Sequence, residues 1–289
     1  RAGNTLVEPL RNLLRTSVSP QTRLHALNIL EGHNALTADD LAIALAHESS
    51  GLRRNAIRLA AAQTNDSPEL GDAMLKSLDD PDALVRMELV YALGEWNDPR
   101  AASAIAQRIE HDKPDSYLGM ALLSSLNASN VRALTPSLLA WAASDDAASE
   151  SRDQVIPTAV GVAIAANDAE TLAVMATDIA KHDQQDYGPA QFIQLAKYLD
   201  ALRSKEATLD ALGTGVTAEA ARTQIAAMLA AARNMVSDSA ANEPLRAAAA
   251  ITLGKDAMQR DADIALLGEL LTADAPESLR AAALETLLD

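Results

Sequence analysis

The sequence predicts an all-α protein, an α-solenoid (superhelix) of about eight helix pairs. Three observations predict it. First, the pattern Arg-x-x-apolar-apolar-x-x-apolar recurs at Arg23 (Ala26, Leu27, Leu30), Arg53 (Ala56, Ile57, Ala60), Arg86 (Leu89, Val90, Leu93), Arg246 (Ala249, Ala250, Leu253) and Arg280 (Ala283, Leu284, Leu287). Arg23 to Arg53 spans 30 residues, Arg53 to Arg86 spans 33, and Arg246 to Arg280 spans 34. Weaker copies at Gly119 (Leu122, Leu123, Leu126) and Arg152 (Val155, Ile156, Ala159) each follow 33 residues further on. A fixed period of this size marks a chain whose units stack on their neighbours. Second, eight of the 11 prolines (Pro20, Pro68, Pro81, Pro99, Pro114, Pro189, Pro244 and Pro276) fall at predicted helix starts, where a missing N–H costs nothing. Third, the chain is rich in Ala and Leu with 2% aromatics, which suits close-packed helices and argues against a sheet.

Each element has its own justification. Leu6, Val7, Leu10, Leu13 and Leu14 form one apolar helical stripe, with Pro9 bending it or marking its first turn. Ser19-Pro20 opens the Arg23 helix, which ends at Glu31-Gly32, and Thr37 caps a helix burying Leu41, Ile43, Ala44 and Leu45. The Arg53 helix follows, and Ser67-Pro68-Glu69 starts the next pair. In the clearest unit, Asp80 reads as N-cap and Pro81 as first helical residue of the Arg86 helix. Asp98-Pro99 repeats that device, and Lys113-Pro114-Asp115 opens the Gly119 helix. Pro136 and Pro157 lie inside apolar patterns and predict kinks. The array spans residues 1–289 but is less regular at about 143–242. There Ser144–Asp153 and Lys181–Gly188 read as polar connections, a shorter helix ends near Leu212-Gly213, and a longer one runs from Thr217 to about Val236.

Composition narrows function. The formal charge is −16, so a nucleic-acid role is not expected. Residues 1–60 hold seven Arg against five Asp/Glu, a net of +2, which leaves −18 for the remainder. With no Cys, disulfides, thiolate metal sites and haem attachment through paired cysteines are excluded within this window. No apolar run approaches the roughly 20 residues that span a bilayer. The chain starts at Arg1 rather than Met and stops right after a repeat helix, so it reads as a fragment of a longer protein.

The residues that carry a family resemblance lie mainly in the first repeats. Paired helices with Pro at helix starts and Arg in the second helix resemble short HEAT repeats. Arg23-Leu24-His25-Ala26-Leu27, Leu30-Glu31-Gly32, Leu36-Thr37, Leu41, Ala44-Leu45, Arg53-Arg54, Ala56 and Arg58-Leu59-Ala60 look like a HEAT-like region of large planctomycete proteins. Pro276 to Leu284 is similar to the last helix of that region, and Leu209-Asp210-Ala211-Leu212 is a short match between. Where the family usually has Asp in the second repeat's turn, this chain has His47-Glu48. The resemblance implies a β-propeller dehydrogenase domain on one side, a c-type cytochrome domain on the other, and a periplasmic or extracytoplasmic location. No family catalytic residue falls on any position here.

The arginine ladder of Arg23, Arg53, Arg86, Arg152, Arg246 and Arg280 is the most regular polar feature. An Asp stands six residues earlier in three copies: Asp80/Arg86, Asp146/Arg152 and Asp274/Arg280. The planar guanidinium can serve several acceptors, so each Arg is expected to bridge turn carboxylates or carbonyls of its own and adjacent repeats, with anion binding as the alternative. Asp79, Asp80 and Asp82, or Asp145, Asp146, Glu150 and Asp153, lack the spaced ligands and central Gly of a calcium loop. The five histidines (His25, His33, His47, His111 and His182) form no metal-binding spacing, and no nucleophile motif or phosphate loop is present. No catalytic, metal or cofactor-binding residue is assigned, and no cofactor is expected in this segment. Two function classes follow. One is a non-catalytic scaffold that spaces and docks flanking domains of the same chain or another protein, a basic partner being favoured by the acidic remainder. The other is an enzyme or ligand-binding protein with its site in a concave groove, as in HEAT-like lyases.

Overall fold

The computed structural model describes residues 4–112, 116–144, 150–182, 186–256 and 258–288. Those residues hold helices and turns and no strand, so the protein is an all-α solenoid of stacked helix pairs. It divides into two compact units, Arg1–Leu134 and Thr135–Asp289.

In the first unit the pairs are α1 (Asn4–Thr16) with α2 (Pro20–Gly32), α3 (Ala38–Leu45) with α4 (Ser50–Ala61), α5 (Pro68–Leu75) with α6 (Ala83–Glu95), and α7 (Pro99–Asp112) with α8 (Ser116–Ser124). Second helices pack on second helices, α2 on α4 on α6 on α8, and first helices α1, α3 and α5 form the other row. The recurring apolar triplets are what this stacking buries. Leu27, Leu30, Ala56, Ile57, Ala60, Leu89, Val90, Leu93 and Leu122 have no exposed surface. Each large side chain among them contributes about 1.5–3 kcal/mol by leaving water.

The helix starts follow the sequence, with one correction. Ser19 accepts from the Thr22 amide, and Thr37 forms a reciprocal capping box with Asp40. At α6, however, the N-cap is Asp82, which accepts from the Leu84 amide at 2.9 Å, and Pro81 precedes it. Asp80 is drawn away from the cap because its carboxylate is taken by an arginine of the preceding repeat. Pro9 lies inside α1. The Lys113-Pro114-Asp115 start lies outside the described residues.

α9 (Val131–Ala142) runs through the division point. The second unit continues with α10 (Glu150–Asp153), α11 (Val155–Ala165), α12 (Ala169–Ile179), α13 (Pro189–Ser204), a 3-10 turn at Leu209–Leu212, α14 (Val216–Ser237), α15 (Glu243–Ala250), α16 (Arg260–Glu269) and α17 (Glu277–Leu288). α11, α13, α15 and α17 form its row of second helices, and α12 packs on α14. Pro136 lies inside α9, but Pro157 falls in the first turn of α11, where its missing N–H has no intrahelical partner to lose. The expected short helix ending near Leu212-Gly213 is present, as one 3-10 turn. α13 stops at Ser204, and Leu209–Leu212 is a single tight turn closed by Gly213 at φ 71°. Part of the polar connection before Asp153 is helical, as α10. In α17, Ala283 is buried but Leu284 is 51% exposed, so the apolar pattern there exceeds what α15 and α16 cover.

Candidate functional site

The ladder arginines point at turns of their own chain. Arg23 donates to the carbonyls of Leu14 (3.0 Å) and Ser17 (2.6 Å), and Arg86 to that of Asp80 (2.7 Å). Arg152 reaches the Ser144 carbonyl at 2.7 Å, Arg246 that of Val236 at 2.9 Å, and Arg280 that of Ala273 at 3.0 Å. Each acceptor lies at or beyond the end of the preceding helix, where carbonyls lack intrahelical partners and the helix dipole is negative.

Arg53 does more. Its Nη1 donates to the carbonyls of His47 (2.9 Å) and Glu48 (2.7 Å), while Nε and Nη2 form a fork on Asp80 Oδ2 and Oδ1 at 2.6 and 2.7 Å. Burial works against the Asp80 charge, but the Arg53 fork and the Asp82 amide outweigh it, holding the carboxyl below its usual range. Of the Asp/Arg pairs six residues apart, Asp80 thus gives Arg86 its main-chain carbonyl and keeps its carboxylate for Arg53. Arg280 takes the Ala273 carbonyl rather than the exposed Asp274, and Asp146 lies outside the described residues.

Four related contacts have no counterpart in the sequence reading. Arg11 of α1 donates to Asp40 of α3 at 3.1 Å, and Arg233 of α14 grips Asp263 of α16 at 2.6 and 3.1 Å. The Asp40 and Asp263 side chains are almost fully buried. Asn127 donates to the Gly94 carbonyl at 2.6 Å, and Asn65 to that of Glu95 at 3.1 Å. A signal did exist. Arg11/Asp40, Arg53/Asp80 and Arg233/Asp263 lie 29, 27 and 30 residues apart, about one repeat.

A groove of about 560 Å³ opens in the first unit, lined by Trp96, Asn97, Asp98, Ser103, Ser129 and Asn130 over a floor of alanines. Its volume is in the range of small-molecule sites. Its polar groups are largely held by the turns themselves. Asn130 donates to the Ser125 carbonyl (2.8 Å) and accepts from the Asn127 amide, while Ser129 bonds Asn127. Arg100 stacks over the Trp96 ring at 4.8 Å and hydrogen-bonds Asp98. That guanidinium, with the Arg100 amide, draws the Asp98 carboxyl down to about 2, well below the range of a general base at neutral pH. Among the described residues no three His, Asp or Glu side chains gather as a metal would require.

With this geometry in view, the family profile described as HEAT repeats matches residues 37–127, which are therefore a HEAT-like repeat region. No curated protein matches the chain in sequence. Among solved structures, human deoxyhypusine hydroxylase in complex with glycerol aligns over 99% of this chain and 96% of its own, at 16% identity and a TM-score of 0.34. A likeness of that size supports no functional assignment. Among the described residues no helix is long and apolar enough to cross a membrane.

Proposed function

We propose that this segment is a non-catalytic repeat scaffold that spaces and docks partner domains or proteins. The observation that carries the reading is the use made of the recurring arginines. Arg23, Arg53, Arg86, Arg152, Arg246 and Arg280 direct guanidinium donors at carbonyls and carboxylates of their own chain, as a device for rigidity does. Stacked repeats then present a continuous surface, suited to recognition more than to bond-making. The sequence resemblance supports a context between a dehydrogenase propeller and a c-type cytochrome domain in an extracytoplasmic polypeptide. Residues 135–289 carry 11 Lys/Arg against 23 Asp/Glu, a net of −12, which favours a basic partner there, with affinity falling as salt rises.

The test has two arms. The purified segment is assayed against panels of hydrolase and lyase substrates, with no turnover expected. Reproducible turnover abolished by one substitution in the groove would defeat the scaffold reading. The sequence on either side is also read, with Cys-x-x-Cys-His expected downstream; flanks from a cytosolic signalling protein would refute the context.

A second reading, a small-ligand site, is favoured by one observation, the groove beside Trp96. A thermal-shift screen of polar metabolites against wild type and Ser103→Trp tests it. A shift present only in wild type supports it.

A further inference from the structure

Arg54 and Arg58 stand outside the ladder. They lie four residues apart on the solvent-facing side of α4, where like charges repel. Unlike the ladder arginines, neither donates a hydrogen bond to a described residue. A carboxylate that feels both charges is Glu88 of α6, half-buried and held above its usual range by burial against the pull of both arginines. Arg54 and Arg58 are thus two adjacent exposed cations on a chain of net charge −16, with no carboxylate hydrogen-bonded to either among the described residues.

The same side of the neighbouring helices also carries exposed apolar side chains. Leu84 and Tyr91 of α6 are 50% and 39% exposed, and Met120 of α8 is 54% exposed. The 33-residue repeat aligns Arg54 with Met87, Arg58 with Tyr91, and Met87 with Met120. Because α4 packs on α6 and α6 on α8, these positions are successive rungs of one surface. Exposed Arg and Tyr side by side are the residue types that dominate binding energy at protein interfaces.

We propose that this face of α4, α6 and α8 docks an acidic peptide segment with aliphatic or aromatic side chains among its carboxylates. The carboxylates take Arg54 and Arg58 as bidentate partners, and the apolar side chains cover Leu84, Tyr91 and Met120. The inference rests on the scaffold reading and names the chemistry of one partner. It differs from the basic partner favoured by residues 135–289, because the charge that matters here is local.

Fluorescence anisotropy with a labelled peptide of alternating Glu and Phe tests it. An all-Glu peptide, a Lys-Phe peptide and oligothymidylate serve as competitors. The Glu-Phe peptide is expected to bind best. Arg54→Glu with Arg58→Glu should weaken it by about tenfold or more, and Tyr91→Ala by about fivefold. Glu88→Gln should tighten it, since it removes the competing carboxylate. Arg58→Gln and Tyr91→Ala, both at exposed positions, should leave the melting temperature nearly unchanged, and Arg58→Gln alone serves if the double variant, which brings like charges near Glu88, fails to fold. Equal binding of the Lys-Phe peptide, an unaffected double variant or stronger competition by oligothymidylate overturns the proposal. Self-association lost in the double variant, without peptide binding, assigns the face to a second copy and overturns it too. Absent peptide binding with absent turnover removes this inference alone, whereas turnover removes the scaffold reading whatever the peptide does.

Discussion

Arg53 and Asp80 are joined by two parallel hydrogen bonds of 2.6 and 2.7 Å across 27 residues, with the Asp80 side chain 5% exposed. The pair ties the end of α3, through the His47 and Glu48 carbonyls, to the turn that launches α6. A carboxylate so placed depends on its partner, because alone it would be a buried unpaired charge.

Arg53→Ala should therefore destabilise by about 3 kcal/mol. Arg53→Lys keeps the charge without the fork and should cost less, about 1–2 kcal/mol. Arg86→Ala removes a charge-assisted bond to a carbonyl and should cost about 1.5–3 kcal/mol. Arg54→Ala, on the exposed side of the same helix as Arg53, should stay within about 0.5 kcal/mol of wild type. Urea unfolding of the four variants checks the ranking; an Arg54 effect matching that of Arg53 would refute it.

Stability should fall in acid. Asp80, Asp82 and Asp98 all lie below the usual carboxylate range in the folded chain, Asp98 at about 2. A depressed folded value means stability that is present above the unfolded pKa of about 3.9 and lost as pH falls towards the folded value. Glu88 and Asp178, raised by burial, work in the opposite sense, and their cost is relieved as pH falls. The urea midpoint should accordingly be nearly flat around neutrality and drop between about pH 4 and pH 2. Asp98→Asn should make that drop shallower, and an unchanged acid slope would show that the Arg100 contact contributes nothing.

Two helical glycines should respond in opposite directions. A Cβ on Gly94 would lie 2.8 Å from Ser125 Cα, where α6 passes the end of α8 and Asn127 holds the Gly94 carbonyl. Gly94→Ala should cost about 1–3 kcal/mol through overpacking. A Cβ on Gly161 of α11 would meet Lys205 Cε at an ordinary 3.6 Å, so Gly161→Ala should gain up to about 1 kcal/mol of helix propensity. Thermal melts of both variants decide it, and a stabilised Gly94 variant would show that the helices can move apart freely.

Several of these relationships were half visible beforehand. The triplets after Arg23, Arg53 and Arg86 name the buried face correctly, because burial follows from helical spacing within one segment. The triplet after Arg280 overreaches at Leu284, because a pattern reports what a helix can bury and not what its neighbours cover. The groove beside Trp96 had no motif, since its lining comes from positions between 96 and 133 that meet only when α7 and the turn before α9 stack.

The sequence by itself determined the helical class, the repeat period, most helix starts and the positions of the six ladder arginines. Those are properties of short stretches, set by spacing, proline and cap chemistry. Only the tertiary structure decided that Asp80 serves Arg53 with its carboxylate and Arg86 with its carbonyl. It also decided that Arg11 finds Asp40 and that Glu88 of α6 comes within the influence of Arg54 and Arg58 of α4. The physical reason is that several turn acceptors lie within reach of each guanidinium along the chain. The offset of one stacked helix on the next, an outcome of packing, selects among them.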